Sequence, residues 1–311
     1  MSARAGRAVL AFVRLGRPQF LAGGFVLYGL GAALAALAGS AIDRRRYVWG
    51  QLAVTAVQLM THYCNDYFDL AADQANATPT RWSGGSRVLP DGGLPAVVAL
   101  WAAVVLAGVA LAAAVVLVRA AGAPAGTVPL LLVMLFLAWE YSAPPLRLHS
   151  RGLGELTTAV VVTLSTPLFA FYLQAGQFSP LPFLAVLPLC AFQFAMLLAI
   201  EFPDAAGDAT AGKRTLVVRL GAPRAAILHQ LAMAAAYLTL PLLVVLGLPP
   251  IVAIAAAAPA PLAAWQAWQM RQGLWREQAG WEKLGFSAVV VLIGSAACEL
   301  AAVLWAIRRG A

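Results

Sequence analysis

The chain has 311 residues, of which 62% are hydrophobic and 11% charged, with a mean hydropathy of +0.81. Soluble domains carry about 25% charged residues, so this composition excludes an ordinary soluble enzyme and points to a polytopic membrane protein. The net charge of +8 does not signal nucleic acid, because the basic residues fall in short clusters between apolar runs, which is the pattern of topology signals.

Apolar runs long enough to cross a bilayer predict nine spans, near 18–40, 47–64, 95–119, 125–143, 153–176, 181–200, 224–247, 249–270 and 284–307. The N-terminal tail carries Arg4, Arg7, Arg14 and Arg17 and precedes a run too long for a signal peptide, so the first span is expected to be retained. With the N-terminus in the cytoplasm, 15 of the 21 Lys and Arg residues fall on the cytoplasmic side. The remaining six include the run Arg44, Arg45 and Arg46. That bias predicts an integral protein of a prokaryotic-type cell membrane with its polar loops inside. Cys64, Cys190 and Cys298 are far apart and show neither metal spacing nor a disulfide framework.

The 13 acidic residues are more informative. Six of them, Asp66, Asp69, Asp73, Glu201, Asp204 and Asp208, lie in two short segments at the ends of spans 2 and 6. In a helix Asn65, Asp69 and Asp73 share one face, and so do Glu201, Asp204 and Asp208. Arg81 and Arg87 follow the first set; Lys213, Arg214, Arg219 and Arg224 follow the second. The chain therefore repeats an organisation, apolar spans, then an acidic helix end, then a basic glycine-containing loop, in pseudo-repeat halves of 1–145 and 146–311 within a single domain.

Carboxylates aimed at one spot repel each other unless a cation lies between them. Two such clusters with bases beside them suit a diphosphate bridged through Mg²⁺, an ion that takes oxygen ligands and keeps substrate phosphates in its shell. A membrane cavity would accept the hydrocarbon tail of a lipid diphosphate. A cation-coupled transporter is the alternative of another class, since acids within membranes also mark ion paths. Transporter sites lie near the bilayer midplane, whereas these acids fall at segment ends beside polar loops.

The first motif, N-D-x-x-D-x-x-x-D, reads Asn65-Asp66-Tyr67-Phe68-Asp69-Leu70-Ala71-Ala72-Asp73. The second, D-x-x-x-D, runs from Asp204 to Asp208, and Gly212-Lys213-Arg214-Thr215-Leu216-Val217-Val218-Arg219-Leu220-Gly221 follows it. Together with nine spans these motifs resemble the UbiA superfamily of intramembrane prenyltransferases. Tyr141-Ser142-Ala143-Pro144-Pro145-Leu146-Arg147-Leu148, then Arg151-Gly152-Leu153-Gly154-Glu155, and the Ser83-Gly84-Gly85-Ser86 loop are most similar to its menaquinone branch. That branch attaches a polyprenyl chain to 1,4-dihydroxy-2-naphthoate. The resemblance implies an all-α membrane protein of nine helices around a central cavity, with short cytoplasmic cap helices after spans 2 and 6. It implies that polyprenyl diphosphate and an aromatic acceptor are the partners, with Mg²⁺ as cofactor.

Carried over residue by residue, Asn65, Asp66, Asp69 and Asp73 would hold one Mg²⁺ and Asp204 with Asp208 the other. Arg81, Arg87, Lys213 and Arg214 would clamp the diphosphate. Many family members have Asn three or four residues before the second motif's first Asp; here Glu201 stands near that place and either replaces the ligand or faces away. Arg14 and Arg17 read either as diphosphate contacts or as topology anchors. Tyr141 reads either as an aromatic face for a developing allylic cation or as an interfacial tyrosine, and Arg147 beside it is expected among the diphosphate-binding bases. His62, His149 and His229 have no partner at ligand spacing and read as core or interfacial residues. Glu140 and Glu155 are expected to pair with Arg147 or Arg151. The same chemistry on another quinone precursor, a tetrapyrrole or a glycerol-phosphate lipid is the alternative within the class.

Overall fold

The computed structural model describes residues 3–310, with side chains from Ala5 onward, so the Arg4 side chain of the basic tail lies outside that description. Among the described residues every regular element is helical. A short helix α1 (Ala3–Leu15) and a helical turn at Pro18–Phe20 precede α2 (Leu21–Leu37). Then come α3 (Arg44–Phe68), α4 (Leu70–Ala75), α5 (Ala96–Arg119) and α6 (Thr127–Glu140). The stretch Gly154–Ala175 is one continuous helix, made of α7 (Gly154–Thr158), a π-helical segment (Ala159–Ser165) and α8 (Thr166–Ala175). The second half continues with α9 (Pro180–Glu201), α10 (Ala205–Thr210), α11 (Leu216–Leu220) and α12 (Ala222–Val245). It ends with α13 (Pro250–Ala256), α14 (Ala260–Arg271) and α15 (Gln278–Arg309).

All nine predicted spans are helical, but seven of the described helices are long and apolar enough to cross a membrane. The other two fail for different reasons. Helix α3 has 25 residues but begins with three arginines and ends in the polar His62–Asp66 stretch. Helix α6 has only 14 residues, about 21 Å at 1.5 Å per residue.

The bundle has two apolar clusters. One is centred on α3, α5 and α6, the other on α9, α12, α13 and α15. Helix α2 joins them because it is apolar all round: Leu27, Leu30 and Leu34 face the second cluster, Tyr28 and Ala32 the first. Glycines let these helices approach closely. Any Cβ at Gly31 would collide with the Pro167 backbone, and one at Gly50 with Tyr28 and Leu173. Large apolar side chains such as Trp101, Val105, Leu238 and Val245 point outward, as a lipid-facing surface requires.

Candidate active site

Both motifs sit where a long helix ends and a six-residue helix begins. Helix α3 stops at Phe68, Asp69 caps it, and α4 carries Asp73 in its first turn. Helix α9 stops at Glu201, Phe202-Pro203 breaks it, and α10 begins after Asp204 with Asp208 in its first turn. The two short helices pack on each other at Gly207, where an added Cβ would meet the Asn76 backbone nitrogen at 2.9 Å. This contact brings the two acidic sets together.

Each motif is clamped by groups from elsewhere in the chain. Lys213 Nζ, beyond the second motif, donates to Asp69 Oδ2 of the first at 2.7 Å and lies 3.5 Å from Asp208 Oδ1. Asn76 Nδ2 donates to Asp204 Oδ1 at 2.6 Å, and the backbone N–H of Gly84 donates to Asp204 Oδ2 at 3.1 Å. Gly84 and Gly85 both have positive φ, which points the loop backbone inward, and a Cβ on Gly85 would collide with the Asp73 carboxylate. Arg17, at φ +47 in the bend before α2, donates to Asp66 and to Asn65 Oδ1. The Ser86 hydroxyl and backbone N–H also donate to Asp66. Asn65 Nδ2 bonds Asp69 Oδ2 at 2.6 Å and Ser142 Oγ at 3.0 Å.

The predicted basic set divides. Arg17 and Lys213 are inside the site. Arg87 reaches it through the Asp73 carbonyl oxygen at 2.5 Å and also pairs with Asp91 at 3.3 Å. Arg14, Arg81, Arg147 and Arg214 are exposed and make no ion pair with the acidic motifs among the described residues; the Arg81 guanidinium lies over the Trp82 ring.

Histidine 149 corrects the sequence reading. It is buried, its Nε2 lies 2.9 Å from Glu201 Oε1, and its Nδ1 is 3.7 Å from Asp69 Oδ2. Its ring stacks on Tyr141 with centroids 4.6 Å apart. Glu201 is thus held by the imidazole and has the Glu155 carboxyl beside it. Glu155 is fully buried rather than paired with an arginine, and Glu140 instead accepts the Leu146 N–H at 2.8 Å. The contacts of Asn76, Ser86, Ser142 and His149 were missed because they lie far apart in sequence; only the cluster Ser83-Gly84-Gly85-Ser86 marked that loop beforehand.

The charges within the site are unequal. Burial alone would raise the Asp69 pKa, but Lys213 and then His149 outweigh it and hold the carboxyl well below its usual range. Asp73, with no cation at hydrogen-bonding distance, is pushed by burial up to about 8. Burial, reinforced by Asp208, takes Asp204 to about 7. Burial also raises Asp208, against Lys213. Burial and Lys213 oppose protonation of His149, yet the Asp69 and Glu201 carboxylates raise its pKa.

Under this charged mouth lies a cavity of about 490 Å³. Arg17, Asn65 and Tyr141 line its mouth, and Val54, Met134, Met196, Leu197 and Ile293 are among the apolar residues lining it. From Asn65 to Val54 along α3 the depth is about 16 Å.

The described helices thus bring acidic and basic groups together over an apolar cavity. The profile of the UbiA prenyltransferase family matches residues 25–305, and the chain belongs to that family of prenyl-transferring enzymes. Among solved structures, an apo UbiA homologue from Aeropyrum pernix K1 superposes with a TM-score of 0.64 at 19% identity, covering 88% of this chain and 96% of that one. A UbiA homologue from Archaeoglobus fulgidus bound to GPP and Mg²⁺ gives 0.61 at 15% identity, covering 93% and 99%. A structure of digeranylgeranylglyceryl phosphate synthase gives 0.62 at 16%, covering 96% and 99%. No curated protein matches the chain in sequence.

Proposed function

We propose that this protein transfers a polyprenyl group from an allylic prenyl diphosphate to an aromatic acceptor, 1,4-dihydroxy-2-naphthoate, with Mg²⁺ as cofactor. The observation that carries this reading is the meeting of two carboxylate clusters around Lys213 at the mouth of an apolar cavity. A hydrocarbon tail suits the cavity, and each buried CH₂ contributes about 0.8 kcal/mol. The site also lies at helix ends rather than midway along them, which favours an interfacial enzyme over a transporter. The menaquinone assignment rests on the Tyr141–Glu155 and Ser83–Ser86 segments.

The residues present fit a hard divalent cation. Asp73 Oδ2 and Asp208 Oδ2 are buried carboxylate oxygens with no hydrogen-bond partner among the described residues, the ligand type such a cation takes. Among the described residues no three acidic, histidine or cysteine side chains are placed to hold a metal ion by themselves. Mg²⁺ commonly takes one or two carboxylates and completes its shell with substrate phosphate and water. Asp66, Asp69 and Asp73 on one side and Asp204 with Asp208 on the other are the residues that would hold it, with Asn65 behind Asp69. Glu201, engaged by His149, serves better as a support for Asp69 and Tyr141. When bound, Mg²⁺ neutralises the diphosphate and makes it a better leaving group.

The chain's own groups do the rest. Arg17 and Lys213 bind diphosphate oxygens; Arg17 Nε is buried and has no partner among the described residues. The apolar wall excludes water from the allylic centre, and the Tyr141 ring, held flat on His149, offers its face to developing positive charge. Arg87 fixes the first loop through the Asp73 carbonyl. Nine helices cross the membrane in this reading, with α3 shielded by its neighbours and α6 short, and the site faces the cytoplasm. Purified protein given a prenyl diphosphate, Mg²⁺ and a panel of acceptors, with products identified by mass spectrometry, tests it. Prenylated naphthoquinol is expected, with release of pyrophosphate and of the acceptor's carboxylate as CO₂; a prenylated product of another acceptor only would overturn the acceptor, and no product with any acceptor would overturn the reaction.

A further inference from the structure

Helix α1 differs from every transmembrane helix in the bundle. The 20 residues Pro18–Leu37 are about 30 Å long, enough by themselves to cross a bilayer. Ala5–Leu37 taken as one straight helix of 33 residues would measure about 50 Å, well beyond the hydrocarbon core. The chain avoids this by breaking at Gly16-Arg17-Pro18, with Arg17 left-handed and proline next. So α1 is not needed to span.

Its position is fixed at the level of the site. Tyr63, two residues before Asn65, donates its hydroxyl to the Phe12 carbonyl at 2.9 Å, and the two rings lie 5.1 Å apart. Ala11 adjoins Gly93, in the loop that leads into α5. The helix therefore lies beside the polar ends of the spans.

Three faces follow from the helical repeat. Ala11 and Leu15 turn toward the protein, and Leu15 is fully buried. Val9 and Val13, one turn apart, turn away from it; with Leu10 and Phe12 they are between 40% and 60% exposed. Arg7 and Arg14, two turns apart, share a third face and are exposed. The helix contains no acidic residue. An apolar stripe, a basic stripe and a protein-facing stripe on one helix, at this depth, match a helix lying in the membrane–water interface.

We propose that α1 is a membrane-surface helix that binds anionic phospholipid, with Val9 and Val13 among the acyl chains and Arg7 and Arg14 on headgroup phosphates. Arginine pairs with phosphate oxygens in a bidentate fashion, and a negative surface concentrates such contacts. Because Arg17 continues directly from α1 and donates to Asp66, the lipid seat also steadies one wall of the site.

The test uses the full chain in vesicles of phosphatidylcholine, with or without phosphatidylglycerol. Spin labels are placed by Val9→Cys, Val13→Cys and Arg7→Cys, with the unsubstituted chain as the control for labelling at the native cysteines. Labels at 9 and 13 are expected to be relaxed more by oxygen than by a water-soluble nickel chelate, and the label at 7 the reverse. Phosphatidylglycerol should immobilise the label at 13, and R7Q/R14Q should abolish that response. Nickel exceeding oxygen at both 9 and 13 would overturn the proposal. Dipolar broadening between labels would overturn it in favour of contact between two copies of the chain. Burial that ignores phosphatidylglycerol would overturn the anionic-lipid part.

Discussion

The two acidic motifs look alike in sequence but are neutralised differently. The first is paired with full charges: Asp66 with Arg17, Asp69 with Lys213. In the second, Asp204 is held by an amide, Asn76, and a backbone N–H, Gly84, and Asp208 has only the longer 3.5 Å contact with Lys213. Each motif is also completed by the other's loop, since Lys213 follows the second and Asn76 and Gly84 follow the first. The first motif is thus held by full charges at Asp66 and Asp69, whereas Asp73 and the second motif are less fully neutralised among the described residues. A buried carboxylate without a cation is costly, so these carboxyls either hold protons or would be satisfied by an added cation.

The largest effect should come from breaking either half. Asp69→Ala and Asp204→Ala should each lower prenyl transfer by about 10³-fold or more, with the protein still folded, as judged by turnover assay and size-exclusion profile. A double mutant no worse than either single one would show that the two motifs act as one unit. Next, Lys213→Met leaves Asp69 buried without its cation and should cost about 3–5 kcal/mol of stability. Adding Asp69→Asn should restore much of the melting temperature in detergent but none of the activity.

Protonation sharpens the contrast further. At neutral pH without metal, Asp73, raised to about 8, is largely protonated, and Asp204, raised to about 7, is partly so. Their contribution to stability is fully present below the unfolded pKa near ~3.9 and is lost as pH rises through 7 to 8. Asp69 has the opposite sign: its contribution is present above ~3.9 and is lost as pH falls through its depressed value. Mg²⁺ should therefore displace protons at pH 7, measurable in weak buffer, and its apparent affinity should rise from pH 6 to pH 8. Smaller effects belong to the link between motifs. Asn76→Ala should cost about 1–3 kcal/mol and raise the Mg²⁺ requirement by leaving Asp204 short of a donor, as read by titration of activity against Mg²⁺. Smallest of all, Arg81→Ala and Arg214→Ala, at exposed positions, should leave stability within about 0.5 kcal/mol.

Composition and hydropathy were enough to show a membrane protein, because the energetic demands of lipid act on every residue of a span at once. Whether α3 and α6 cross is not legible from length and composition, since an apolar run does not reveal how polar its helix becomes or where it ends. The acidic motifs were legible because carboxylates at helical spacing share a face whatever surrounds them. The histidines were not: His149 lies 52 residues from Glu201 in sequence and meets it only when the two halves close.

What the sequence determined by itself was therefore local and additive: helical spans, two acidic helix ends, and the bases beside them. Only the tertiary structure decided which base meets which acid. It chose Arg17 over Arg14, put Lys213 against Asp69, and gave Glu201 to His149. Pairings of this kind depend on where α4 and α10 touch at Gly207, a contact between residues remote in the chain that no local periodicity encodes.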